Sequence, residues 1–129
     1  MSWYIDSSAI IKLIIAEKES PDLKNYISEG LLTSEIARVE VLRTVTMNAP
    51  DFVASAKKVL GALNTVDINA SILYMAEDFG TNISLRTLDT IHVATALSVR
   101  DVIDGVITYD KGMSKDAKVL GLSVVSPGA

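Results

Sequence analysis

Four carboxylates stand where burial is to be expected. Asp6 follows the apolar run "WYI" and Asp110 follows "GVITY". Both runs read as strands that deliver the acid to a strand's carboxyl end, the edge where open α/β sheets bind ligands. Glu40 lies inside "ARVEVLR" and Asp89 opens "DTIHVATAL", so each sets a charge beside a surface that should pack. A carboxylate removed from water must find a cation or take up a proton. Four that share one place repel each other unless a divalent cation holds them.

Each acid also has a local reading. Asp6 and Asp89 suit helix caps, Asp110 suits the turn "TYDKG", and Glu40 can pair with Arg43 or Lys12 on a helix face. Most of the other acids, Glu17, Glu19 and Asp116 among them, stand among lysines, serines or loop residues and read as solvated charges. Their setting separates the four from the rest. An oxygen-rich donor set in a chain with no cysteine favours Mg²⁺ or Mn²⁺ over Zn²⁺. Such ions most often serve phosphoryl chemistry, making a water nucleophilic and offsetting charge on the phosphate.

The elements that must position these acids follow from periodicity. Apolar β-branched runs alternate with helical patterns, which implies an α/β fold on a mainly parallel sheet of about five strands flanked by helices. Strands are expected at Ser2–Ile5, Leu31–Thr33, Thr65–Ile68, Gly105–Thr108 and Leu122–Val125. A helix capped by Ser7 or Ser8 is expected to run to about Glu19, and another from Pro21 to a C-terminal glycine at Gly30. Ser34 is expected to cap "EIARVEVLRTVTM", where Ile36, Val39, Glu40 and Arg43 share a face. Helices also follow Asp51 and Asn69, and "RTLDTIHVATALSV" and "KGMSKDAKVLG" complete the set.

The 129 residues suit one domain, 1–129, with 49% apolar residues and no linker or repeat. No secretion leader or membrane span is legible, and the expected location is the cytoplasm. The net charge of −4 argues at first against a nucleic-acid partner. Setting aside the four acids, however, leaves 12 acidic residues against 12 basic ones. Arg38, Arg43, Lys12 and Arg86 are then the expected phosphate contacts, and Arg43, one turn beyond Glu40, can touch substrate or steady that glutamate. His92 reads as a packed histidine, because metal-assisted hydrolysis needs no imidazole base.

Four stretches carry a resemblance across nearly the whole chain: "YIDSSAIIKL", "SEIARVEVLR", "LRTLDTIHVATAL" and "VITYDKGMSKDAKVLGL". They are similar to the PIN-domain ribonucleases, specifically the VapC-type toxins of toxin-antitoxin pairs. The resemblance implies a three-layer α/β/α fold and Mg²⁺-dependent endonucleolytic cleavage of RNA, restrained by a cognate antitoxin. It matches Asp6, Glu40, Asp89 and Asp110 to the family's acidic quartet, catalytic and metal-binding. Ser7 and Thr108 match small hydroxyl positions that hydrogen-bond the ligands, Ser7 beside Asp6. The apolar "AIIKLIIAEKESPDLKNYI" is expected to expose a surface for a homodimer or for the antitoxin. A housekeeping RNA-processing nuclease and a non-catalytic PIN-like interaction module are the alternatives. Nucleophilic-aspartate enzymes fit less well, because "IDSSA" offers neither Asp-x-Asp nor an extra acidic pair.

Overall fold

The computed structural model describes residues 2–27 and 30–129. Its sheet has five parallel strands: β1 Ser2–Ile5, β2 Leu31–Ser34, β3 Asn64–Val66, β4 Ile103–Ile107 and β5 Val124–Val125. Their spatial order is β3-β2-β1-β4-β5. The helices among the described residues are α1 Ser7–Ile14, α2 Ser20–Tyr26, α3 Glu35–Asn48, α4 Val53–Gly61, α5 Ala70–Glu77, α6 Thr87–Ser98 and α7 Lys111–Val119.

Alternation along the central strands sends successive side chains into opposite layers. Ile5 and Ile107 pack with Ala9 and Ile10 of α1, Val41 and Val45 of α3, and Leu60 of α4. Tyr4 and Val106 pack with Ala96 of α6 and Ala117 of α7. The sheet is thus covered on both faces, as an all-parallel sheet requires, and the three-layer α/β/α expectation holds.

The strand order fixes where a ligand site can form. From β1 the chain winds outward through β2 to β3, whereas β4 returns to the other side of β1 and leads to β5. The winding direction therefore reverses between β1 and β4. Helices α1 and α7, which follow these strands, leave on opposite faces and open a crevice beyond the carboxyl ends.

Several local expectations are corrected. Helix α1 stops at Ile14, where Ile15 turns extended; Lys12 reaches forward to Glu17 and Glu19. Helix α2 ends at Tyr26, so Gly30 is not its terminal glycine. With φ of +83° it instead makes the turn into β2, where a Cβ would stand 2.7 Å from Ser2 Oγ. Residues 28 and 29 of the expected helix lie outside the described residues. The edge strands β3 and β5 pair on one side only and are shorter than expected, while β4 starts two residues early, at Ile103.

In "AIIKLIIAEKESPDLKNYI", Ala9, Ile10, Ile14 and Leu23 are buried in the core, while Ile11, Leu13, Ile15 and Ile27 are half-buried and Tyr26 is exposed, so the apolar surface there is narrower than the segment's composition suggests. Ser34 and Asn69 cap α3 and α5 as expected, accepting from Ile36 N and Ile72 N. On α3 the buried stripe is Ala37, Val41 and Val45, which turns the Val39 and Arg43 side outward. Among the described residues, no helix is long and apolar enough to cross a membrane.

Candidate active site

Asp6, 3% exposed, sits one residue past β1, where its N–H still bonds Ile107 O at 3.2 Å. It is the N-cap of α1: Oδ1 accepts from Ala9 N at 3.1 Å and from Ser8 Oγ at 2.6 Å. Oδ2 accepts from Thr108 Oγ1 at 2.5 Å. The cap therefore belongs to Asp6, and Ser8 acts on the aspartate rather than on the helix.

Both hydroxyls are used twice. Ser8 Oγ accepts from Tyr109 N at 3.0 Å, and Thr108 Oγ1 accepts from Asp110 N at 3.1 Å. Two parallel relays thus lash the end of β1 to the end of β4 through the Asp6 carboxylate. Burial pushes the Asp6 carboxyl above its usual range, against the pull of the Ser8, Thr108 and Ala9 bonds. Oδ1 has both lone pairs engaged, whereas Oδ2 keeps one for a further partner.

Glu40 enters from α3 in the opposite layer to α6. Its Oε1 accepts from Ser7 Oγ at 2.8 Å and from His92 Nε2 at 2.5 Å. Ser7 therefore orients Glu40, not Asp6: it faces away from the cap, toward α3. Burial acts to raise the Glu40 carboxyl, but the His92 bond and charge and the Ser7 hydroxyl outweigh it and hold the group low. No hydrogen bond to Arg43 or Lys12 forms. Arg43 is exposed, while Lys12 is 8% exposed, bound to Glu17 at 2.8 Å and to Glu19 at 3.3 Å, with Tyr109's ring beneath it. This removes Lys12 from the expected phosphate contacts and removes the steadying role from Arg43.

His92 is the residue the sequence reading undervalued. It is 1% exposed, as a packed histidine should be, yet both ring nitrogens are engaged. Nδ1 meets Tyr4 Oη at 2.5 Å, and Nε2 meets Glu40. Burial, and then the Asp6 charge, push the Tyr4 hydroxyl well above its usual range, so it keeps its proton. With Nε2–H donating to the Glu40 carboxylate, the imidazole joins Tyr4, His92 and Glu40 in one hydrogen-bonded chain. The one sequence signal was spacing: His92 lies three residues after Asp89, on the same side of α6.

Asp89 stands in the first turn of α6, half-buried, and among the described residues no hydrogen bond ends on its carboxylate. Burial raises its pKa first and the Asp110 charge second, with Glu40 and Asp6 adding and His92 opposing. Asp89 is thus within electrostatic reach of Asp110, Glu40 and Asp6. Asp110 is exposed and caps α7, with Oδ1 accepting from Met113 N at 2.8 Å. Asp116, read as solvated, is buried: Oδ2 accepts from Ser84 N at 2.8 Å and Ser84 Oγ at 3.2 Å, tying α7 to the segment that enters α6, while Oδ1 has no partner.

Among the described residues no three acids or histidines form a preassembled metal cage. The donor set suits a hard ion: among the described residues Asp89, Oδ2 of Asp110 and Oε2 of Glu40 have no hydrogen-bond donor, and the sequence holds no thiolate to compete.

A family model for the PIN domain matches residues 3–119. The chain belongs to the PIN-domain family. This PIN domain is 31% identical to Ribonuclease VapC47 of Mycobacterium tuberculosis, covering 98% of this chain and 97% of that protein. It is 34% identical to Ribonuclease VapC35 of the same organism, covering 97% and 96%. Among solved structures, a toxin-antitoxin complex from Klebsiella pneumoniae superposes with a TM-score of 0.76 at 21% identity, over 97% of both chains. VapC20 of M. tuberculosis, a Sarcin-Ricin loop cleaving toxin, gives 0.75 at 13% identity over 98% of this chain and 100% of that one. These two likenesses speak for the fold.

Proposed function

We propose that this PIN domain is a Mg²⁺-dependent endoribonuclease, with Mn²⁺ an alternative ion, and the toxin of a toxin-antitoxin pair. The observation that carries the reading is that Asp6 and Asp110 follow the two strands between which the winding reverses and are linked through Thr108, while Asp89 feels the charges of Asp110, Glu40 and Asp6. The ribonuclease relatives supply the substrate class.

Asp6 and Asp89 would hold the ion, Asp110 would complete the site, and Glu40 would hold the ion or its waters. A bound ion supplies a water of lowered pKa and positive charge against the phosphate oxygens. The chain's own work is positioning. The Ser8 and Thr108 relays stop Asp6 from turning, so its remaining Oδ2 lone pair keeps one direction. Ser7 and His92 hold Oε1 of Glu40 and leave Oε2 to orient the attacking water. Exposed Asp110 leaves one side of the crevice open, which lets an uninterrupted strand enter without a free end.

The test is cleavage of an end-labelled single-stranded RNA. Mg²⁺ is expected to give internal cuts, EDTA to abolish them, and Mn²⁺ to restore them. Cutting undiminished in EDTA, or shortening only from an end, contradicts the reading.

An antitoxin and a homodimer complete the proposal. Exposed Leu73, Tyr74 and Leu88 near a 470 Å³ cavity between α5 and α6 provide apolar surface for one of these partners. Growth arrest on expression, relieved by a co-expressed neighbouring gene product that co-purifies with the chain, distinguishes a toxin from a housekeeping nuclease. It also separates a toxin from a non-catalytic module.

A further inference from the structure

Asp110 also lines a cavity of 560 Å³ along α7. Its lining includes Asp110 at one end, then Lys111, Lys115 and Lys118, with Tyr109 and Ser126 behind them. The lysines recur at four and three residues, so they share one face of α7 and span about 10 Å of its axis. Among the described residues none of the three forms an ion pair or a side-chain hydrogen bond. Lys111 also stands at the first position of the helix, where the macrodipole disfavours a cation. In a chain of net charge −4, three uncommitted ammonium groups on one wall beside a site carboxylate call for an anionic occupant.

We propose that this cleft carries the backbone of single-stranded RNA away from the cleavage point, with Lys111, Lys115 and Lys118 each meeting a phosphate. The inference rests on the ribonuclease reading and deepens it. The charges are spread along the helix rather than converging on one point, which suits a run of phosphates better than one small anion. Lysines meet phosphates as point charges and read no base. Tyr109 adds no free stacking platform, because its hydroxyl is tied to Pro127 O at 2.7 Å and its ring underlies Lys12. The cleft therefore contributes affinity and direction without sequence preference.

The test is fluorescence anisotropy of a labelled single-stranded oligouridylate, bound to the Asp6→Asn chain in Mg²⁺ at several salt concentrations. Each single-strand phosphate contact contributes about 0.7 to the slope of log affinity against log salt. Lys111→Gln/Lys115→Gln/Lys118→Gln is therefore expected to flatten that slope by about 2. Between about 50 and 200 mM salt, that is about 20-fold less loss of affinity. In the otherwise wild-type chain the same change is expected to raise KM and leave kcat little altered. Lys24→Gln/Lys57→Gln/Lys58→Gln, exposed lysines on α2 and α4, removes equal charge and is expected to leave the slope as it was.

An unchanged slope in the α7 variant, or equal flattening by the control, overturns the inference while the ribonuclease reading stands. Loss of polyglutamate binding with RNA binding intact assigns the cleft to a protein partner and also overturns it. An Asp6→Asn chain that binds no RNA at any salt, together with a wild-type chain that cuts none, removes the ribonuclease reading itself.

Discussion

Asp6→Asn is expected to leave a folded chain whose RNA cleavage is reduced by more than about 100-fold, because even groups that only orient a metal ligand are worth 10- to 100-fold. The fold should survive for a local reason. Asparagine keeps an Oδ1 that accepts from Ala9 N and Ser8 Oγ, so α1 stays capped. Its amide takes the place of Oδ2 and can donate to Thr108 Oγ1. What disappears is the buried charge.

The same substitution carries a stability prediction with a definite sign. Burial raises the Asp6 pKa in the folded chain, so the folded state binds the proton more tightly than the unfolded state. Its contribution to stability therefore falls as pH rises from the unfolded value near 3.9 through the folded one, and the penalty is complete above that. Without added metal, Asp6→Asn should be at least as stable as wild type at neutral pH. The difference should shrink toward about pH 4. Urea denaturation in EDTA at several pH values checks this. A variant that is less stable at neutral pH and inactive for that reason contradicts the account.

His92→Leu is expected to lower cleavage by about 10- to 100-fold while roughly preserving volume. It removes the donor that fixes Glu40 and one of the partners of the buried Tyr4 hydroxyl, which keeps Ser34 and Thr33 beside it, at a cost of about 0.5–1.5 kcal/mol. Stability loss alone would also reduce activity, so the amide variants decide. The amide nitrogen of glutamine reproduces the reach of the imidazole Nε2, and that of asparagine reproduces only Nδ1. His92→Gln should therefore retain a donor to Glu40 and more activity than His92→Asn. Equal activity in the two, tracking only their melting temperatures, contradicts a positioning role.

What was legible in the sequence was local. Asp6 and Asp110 each follow an apolar run, so their arrival at strand ends could be read from neighbours alone. Asp89 and Glu40 stood out because their immediate surroundings were apolar. Partners remote in sequence were not legible. Ser7 sits beside Asp6 in the chain, yet the helical turn points it at Glu40, 33 residues away. His92 meets Tyr4 across 88 residues, a pairing that exists only once α6 covers the sheet. Asp116 and Lys12 were misread for the same reason: polar or acidic neighbours in sequence say little about what a helix face meets after packing. Helix ends failed where a side chain drew the chain aside, as Lys12 does with Glu17 and Glu19 after α1.

The claim at the centre is that these carboxylates jointly hold a divalent ion, and calorimetric titration of Mn²⁺ into the metal-stripped chain at neutral pH tests it most directly. Wild type is expected to bind with measurable heat, and the folded Asp6→Asn chain to bind more than about 100-fold more weakly. Equal binding by the two chains, or none by wild type, contradicts the account.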